Sequence, residues 1–201
     1  MATTSRYSGA LTSEQFLFYE IRIAAKMYLQ GIPVKEAVSH IQADNLFQYP
    51  TERKISDLAH ACYRRLDALG DESLVRELAS APVEIAKQIN LYAMMRYNRL
   101  MWEFMTQVIG EKFRNQDFAL SRGEMNAFFS RLQSQNDDVA KWTESTVSKI
   151  KSVIIRALVE TEYLDSFKDE RLNPVFLYEE LERGIRANGD FEALPAFNCF
   201  Q

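Results

Sequence analysis

Six polar or basic side chains between positions 141 and 156 share one face when the chain is wound as an α-helix at about 100° per residue. They are Lys141, Ser145, Ser148, Lys149, Ser152 and Arg156, and Thr143 stands where it can cap the helix. Lysine and arginine bind phosphate oxygens or guanine edges, while short serines let a helix approach DNA closely. The pattern therefore favours DNA contact. An ordinary solvated face is the alternative, because most surface helices carry lysines opposite an apolar stripe.

A second and weaker candidate follows Thr51, which can also cap a helix. The outward arc of that helix holds Arg53, Ser56, Asp57, His60 and Arg64, with Lys54 and Arg65 at its flanks. Its charge is mixed, because Asp57 and the nearby Asp67 would repel phosphates. We therefore predict only accessory DNA contacts, made by Thr51, Arg53, Lys54 and Arg64. A salt-bridged solvent face is the alternative.

The sequence lacks the usual signatures of catalysis and metal binding. It contains no Walker-type phosphate loop, no GxGxxG and no HExxH. The usual nucleotide-hydrolysing, dehydrogenase and metalloprotease functions therefore lack their minimal motif. Cys62 and Cys199 lie far apart and the two histidines are His40 and His60, so we expect free thiols and no metal. His60 has no accompanying nucleophile and base pattern. We predict that the protein is not an enzyme and needs no cofactor.

The composition favours a helical protein with a packed core. The chain has 201 residues, of which 47% are apolar and 12% aromatic, enough for one domain or two small ones. Seven glycines, five prolines and no alternating β-branched run make a strand-rich fold poorly supported. Charges interrupt the apolar segments before the roughly 18 residues that a membrane span requires, and residues 1–9 carry no apolar signal sequence. We expect a cytoplasmic protein without a membrane span.

Charge is unevenly distributed along the chain. The net charge is -4, but residues 160–201 hold ten acidic and four basic side chains, a net -6 that leaves +2 for residues 1–159. Phosphate contacts are local, so the distribution matters more than the sum. We therefore expect any DNA-facing surface to lie before Glu160.

Caps and apolar spacing predict a compact all-α, multi-helix fold. The predicted helices span about residues 13–30, 33–43, 52–69, 71–79, 83–113, 122–135, 137–142, 144–160 and 174–188. Capping boxes at Thr12 with Gln15 and at Ser121 with Glu124 mark two of the starts, and Pro174 marks the last. These elements group into three regions: 1–80, a connecting region 81–120 with the long helix, and 121–201.

A short helix, a turn and a longer helix occur twice, over residues 33–69 and 137–160. This is the layout of a helix-turn-helix, whose second helix enters the major groove of DNA. We predict two such units, one in each outer region. The second is predicted to carry at most a short hairpin wing within residues 163–172.

Four segments carry a resemblance that runs over nearly the whole chain. They are YSGALTSEQFLFYEIRIAAKMYLQGIP, DNLFQYPTERK, KQINLYAMMRYNRLMWEFMTQVIGEKF and WTESTVSKIKSVIIRALVETEYL. Through them the sequence resembles the BrxA-type proteins of bacteriophage exclusion (BREX) systems. The resemblance implies a small all-helical component of phage defence with helix-turn-helix units and a DNA-binding role. It associates that role with Lys141, Thr143, Ser145, Lys149 and Arg156 in the last segment, and with Thr51, Arg53 and Lys54 in the second.

The leading hypothesis is a monomeric, non-enzymatic accessory that binds double-stranded DNA chiefly through phosphates and works with other BREX proteins. The alternative is a protein-interaction scaffold without direct DNA contact. In that alternative, helical grooves hold a larger BREX subunit and the acidic C-terminal region faces a basic partner.

Overall fold

The computed structural model describes residues 6–200 and is all-α, which confirms the predicted fold class. Helix accounts for 69% of the structure, and no strand occurs within the described range. The α-helices are α1 (Phe18–Leu29), α2 (Val34–Ala43), α3 (Glu52–Leu69), α4 (Glu72–Ser80), α5 (Val83–Tyr97), α6 (Arg99–Phe104), α7 (Glu111–Arg114), α8 (Arg122–Gln135), α9 (Asp137–Ala140), α10 (Glu144–Glu160) and α11 (Glu179–Ala187). Two 3-10 turns span Gly9–Thr12 and Phe191–Phe197, and a π-helical turn spans Met105–Gly110.

Helix α5 forms the centre of the apolar core. It packs against α1, α3, α4 and α11, and its residues Ile89, Leu91 and Tyr92 are completely buried. A helix that is apolar on nearly all sides must be covered on all sides, which explains why four helices surround it. The sequence pattern of this segment is thus one of core packing.

The predicted long helix over residues 83–113 is helical in the structure but is interrupted at Asn98. Asn98 has an extended backbone (φ -121°, ψ 113°), and its side-chain oxygen accepts a hydrogen bond from the Met101 amide at 3.2 Å, which starts α6 as a new helix. The chain then passes through the π-helical turn. Gly110 in that turn lies so close to the C-terminal 3-10 turn that a Cβ there would be 3.2 Å from the Ala196 nitrogen.

The predicted start of the first helix is wrong. Thr12 forms no capping box with Gln15; its hydroxyl donates to the Gly9 carbonyl at 2.9 Å, and α1 begins only after Leu17, whose φ of 53° is left-handed. The physical reason is Arg65, which lies completely buried on α3 and donates to the carbonyls of Glu14, Gln15 and Phe16. Because those carbonyls accept hydrogen bonds from the Arg65 guanidinium, the segment that carries them stays outside the helix.

The last helix begins at Glu179, five positions later than the predicted start at Pro174. The intervening segment is held extended by Gln88 of α5, whose amide nitrogen donates to the Phe176 carbonyl at 2.7 Å and whose amide oxygen accepts from the Tyr178 nitrogen at 3.4 Å. Helix α9 is likewise shorter than predicted, since it ends at Ala140.

Residues 163–172 form no hairpin wing, which is consistent with the prediction of at most a short one. The Asn173 amide donates to the Tyr163 carbonyl at 2.8 Å, which closes the intervening residues into a wide loop. The end of that loop pairs with the segment before α8 in a single antiparallel bridge between Ala119 and Arg171. Backbone groups at the end of this loop therefore pair with the distant segment before α8, and they are not available to a local hairpin.

Candidate nucleic-acid interface

Helix α10 is amphipathic in the way its sequence predicts. The Thr143 hydroxyl oxygen accepts a hydrogen bond from the Thr146 amide at 3.2 Å and caps its first turn. The apolar side consists of the buried residues Val147, Ile150, Ile154 and Leu158. Burial of that stripe fixes the rotation of the helix about its axis, so the opposite face is the one left in solvent.

The six residues predicted on this face and the capping Thr143 are all exposed: Lys141, Thr143, Ser145, Ser148, Lys149, Ser152 and Arg156. The Lys149 amine makes no hydrogen bond or ion pair with any residue between 6 and 200. The Ser152 hydroxyl donates to the Ser148 carbonyl within the helix at 3.0 Å, and the Arg156 guanidinium lies 5.4 Å from the ring centre of Phe167. The structure therefore gathers these side chains on one accessible surface, which we call the α10 basic face.

Lys141 stands beside an acidic neighbour on α9. Arg6 contacts the Asp138 carboxylate at 2.9 Å, and Arg6 first and Lys141 more weakly lower the pKa of Asp138. The lysine thus faces a carboxylate that Arg6 already neutralises in part, which makes it a weaker attractor of phosphate than Lys149.

A groove beside the α10 basic face was not foreseen from the sequence. It encloses about 530 Å³ between α8, α10 and the loop after α10, and its walls include Arg122, Lys151 and Lys168 together with Asp169 and Glu170. The Lys151 amine donates to the Asn126 side-chain oxygen at 2.7 Å, and burial lowers its pKa. Helical spacing placed Lys151 outside the outward arc, so only the packing of α8 on α10 could reveal this cluster.

The first unit, α2 with α3, presents fewer cations than its sequence suggested. Thr51 caps α3, and Arg53 is exposed, with no hydrogen bond or ion pair between its side chain and residues 6–200. Lys54 is half-buried and its amine donates to the Ser13 carbonyl at 3.3 Å. Arg64 donates to Glu14 at 2.6 Å and to the Tyr97 hydroxyl at 2.7 Å. Lys54 and Arg64 are thus engaged with the chain itself.

Two further residues of this arc lie differently from the sequence prediction. Arg65 was predicted at a solvent flank and is instead completely buried, as described above. His60 is half-buried, and its Nδ1 bonds the Ser56 carbonyl at 2.8 Å. The ring is held against its own helix.

Both cysteines are free thiols. Cys62 is buried, which raises its pKa to about 12, and Cys199 is half-buried. Between residues 6 and 200 no group of three or more His, Cys, Asp or Glu side chains is arranged to hold a metal ion. In the same range no helix has the length and apolarity needed to cross a membrane.

Comparison with known proteins identifies the family. The sequence model of the BrxA family matches residues 5–189. "BREX protein BrxA" of Bacillus cereus (strain H3081.97) is 34% identical over 185 residues, which cover 92% of each chain. "BREX protein BrxA" of Escherichia coli O9:H4 (strain HS) is 21% identical over 181 residues, which cover 90% of this chain and 84% of that protein.

A solved structure shares the fold. It is an uncharacterised protein from Magnetospirillum magneticum, which superposes with a TM-score of 0.82 at 21% identity and covers 96% of this chain and 98% of its own. At that identity the likeness concerns the fold alone. The match of the family model over most of the sequence and the 34% identity to a BrxA protein show that this chain belongs to the BrxA family of BREX phage-defence proteins.

Proposed function

We propose that the protein is a non-enzymatic DNA-binding accessory of its BREX system and that α10 is its principal DNA-contacting helix. In this proposal α9 with α10, and α2 with α3, act as helix-turn-helix units. The observation that supports it most is the α10 basic face, where Lys149 and Arg156 are exposed opposite a buried apolar stripe. In this proposal the protein acts as a monomer in the cytoplasm.

Phosphate contact is the expected mode of binding. Lys149 and Arg156 stand on the same face and are separated by roughly 10 Å along the axis at about 1.5 Å per residue. That spacing suits contacts to more than one phosphate of a major groove about 12 Å wide. Such contacts orient the protein but carry no base information, so sequence preference would come from other subunits.

The second candidate function is a protein scaffold without DNA contact. The first unit favours it, because the Lys54 amine and the Arg64 guanidinium already contact the chain, whereas the exposed Arg53 side chain remains available. In the DNA-binding proposal the same unit supplies an accessory contact through Thr51 and Arg53.

A salt series of DNA binding by the full chain separates these candidates. Fluorescence anisotropy would measure its affinity for a mixed-sequence duplex at rising salt. DNA binding through phosphates makes the logarithm of the association constant fall linearly with the logarithm of salt concentration, with a slope of about -0.9 for each phosphate contact. Absence of binding at low salt would refute the DNA-binding proposal and leave the scaffold.

A paired substitution tests the choice of helix. Lys149→Ala with Arg156→Ala should make the slope shallower by about 1.8 and weaken binding to all duplexes alike, because two phosphate contacts are lost. Lys26→Ala with Arg183→Ala removes the same two charges from exposed positions on other helices and serves as the matched control. If Arg53→Ala abolishes binding while the α10 pair behaves as the control does, α10 is the wrong helix.

A further inference from the structure

A second groove lies at the C-terminal end of α10, beyond the Arg156 end of the α10 basic face. It encloses about 570 Å³ between the start of α5, the residues after α10 and the extended segment before α11. We call it the acidic groove, because Glu84, Glu160, Glu162 and Asp165 line it. Its apolar side includes Phe176 and Tyr178.

Two of the four carboxylates have a side-chain partner within residues 6–200, and two have none. Glu160 pairs with Lys87 at 3.0 Å, and Asp165 accepts a hydrogen bond from the Asn173 side chain at 2.8 Å. Glu84 and Glu162 are exposed, and their carboxylates make no hydrogen bond or ion pair with residues 6–200. Carboxylates around a concave surface focus negative potential there, so the groove attracts cations and repels phosphates.

The aromatic side of the groove is exposed yet fixed in place. Phe176 is 76% exposed, and its ring meets that of Tyr178 edge to face at 5.7 Å. Buried Gln88 holds the backbone on both sides of Leu177 through the two hydrogen bonds described above. A preorganised aromatic surface of this kind loses little conformational entropy when a partner side chain packs on it.

We infer that the acidic groove docks a segment of another protein that carries lysine or arginine together with an apolar side chain. The cations would meet Glu84 and Glu162, and the apolar side chain would pack on Phe176 and Tyr178. Charge complementarity selects this occupant over nucleic acid. Along α10 the groove begins roughly 16 Å from Lys149 and roughly 6 Å from Arg156, so a partner there leaves Lys149 open.

Peptide binding to the full chain tests the inference. The probe is a short fluorescein-labelled peptide in which lysine alternates with leucine, and its counterpart with glutamate for lysine is the negative control. Fluorescence anisotropy should show binding of the lysine peptide only. Glu84→Gln, Glu162→Gln and Phe176→Ser combined should weaken that binding about tenfold or more, because charged and aromatic anchors carry most of the affinity of such contacts.

A matched variant guards against general attraction to an acidic protein. Glu52→Gln, Asp44→Asn and Phe191→Ser remove the same charges and another exposed ring elsewhere, with Glu52 in the first turn of α3 as Glu84 is in that of α5. Equal weakening by both triple variants, or no binding of the lysine peptide, would refute the inference. Sedimentation velocity provides a further test. If the unaltered protein and the matched variant are dimers and the groove variant is a monomer, the occupant is a second copy of this chain, which would overturn the inference. The salt slope of DNA binding should stay unchanged in the groove variant. Failure of the peptide-binding inference can therefore be told apart from failure of the DNA-binding proposal.

Discussion

Asp190 is a buried charge whose removal we expect to destabilise the fold. Its carboxylate is 1% exposed and accepts a hydrogen bond from the Tyr92 hydroxyl at 2.7 Å, and it pairs with the Arg96 guanidinium at 3.0 Å. Asn188 adds to this network by donating to Tyr92 at 3.2 Å and to the Leu69 carbonyl at 2.8 Å. The network therefore ties the segment after α11 to α3 and α5.

Asp190→Asn should lower the free energy of unfolding by about 3 kcal/mol. Removing one member of a buried ion pair typically costs about 3–5 kcal/mol, because the remaining charge stays desolvated. We expect the lower end, since the Arg96 side chain keeps 12% exposure. Urea unfolding followed by circular dichroism measures the change, with Glu72→Gln as the control. That variant breaks the exposed Arg76–Glu72 pair and should cost no more than about 1 kcal/mol.

A double-mutant cycle with Tyr92→Phe tests whether the network acts as a unit. Residues in one hydrogen-bond network show coupling energies of about 0.5–3 kcal/mol. Burial first, and the hydrogen bond to Asp190 next, raise the pKa of Tyr92, so its hydroxyl remains a donor at all ordinary pH values. A loss below about 1 kcal/mol for Asp190→Asn, or no coupling to Tyr92→Phe, would refute the reasoning.

Three further outcomes follow from local geometry. Gly184→Ala should destabilise the fold by about 1–3 kcal/mol in urea unfolding, because the added Cβ would lie 2.5 Å from a methyl carbon of the fully buried Leu74; an unchanged midpoint would show that Leu74 moves aside freely. A hydrogen bond from Lys112 lowers the pKa of Glu124 below its ordinary 4.5, and this outweighs burial, which raises it. As pH falls below about 4.5 the unfolded chain therefore takes up the proton first, and stability is lost on acidification. Glu124→Gln should flatten the dependence of the unfolding free energy on pH in that window. An unaltered slope would contradict this. In the native protein Cys62 should resist modification by a maleimide, because burial raises its pKa to about 12. Rapid reaction of a Cys199→Ser variant, in which Cys62 is the remaining cysteine, would disprove this prediction.

Much of the helical scaffold can be predicted from neighbouring residues alone. The Ser121 capping box forms as predicted, with Glu124 accepting from the Ser121 amide at 2.8 Å, and Thr51 and Thr143 both cap their helices. Such hydrogen bonds span only a few positions, so their signal is contained in a few letters of sequence. The exposure of the α10 basic face was predictable for the same reason, because a buried stripe at helical spacing determines which residues lie opposite it.

Only the tertiary structure determined which polar side chains bond backbone groups far away in the sequence. Arg65 has the sequence context of a surface cation, yet it is buried against the carbonyls of residues 14–16 and delays the start of α1. Gln88 likewise holds residues 176–178 extended, where Pro174 alone suggested a helix. The acidic groove exists because α5, the end of α10 and that extended segment come together. Local propensity is worth about a kcal/mol or less per residue, whereas leaving a buried polar group unsatisfied costs about 1–3 kcal/mol, so the long-range partners prevail wherever the two conflict.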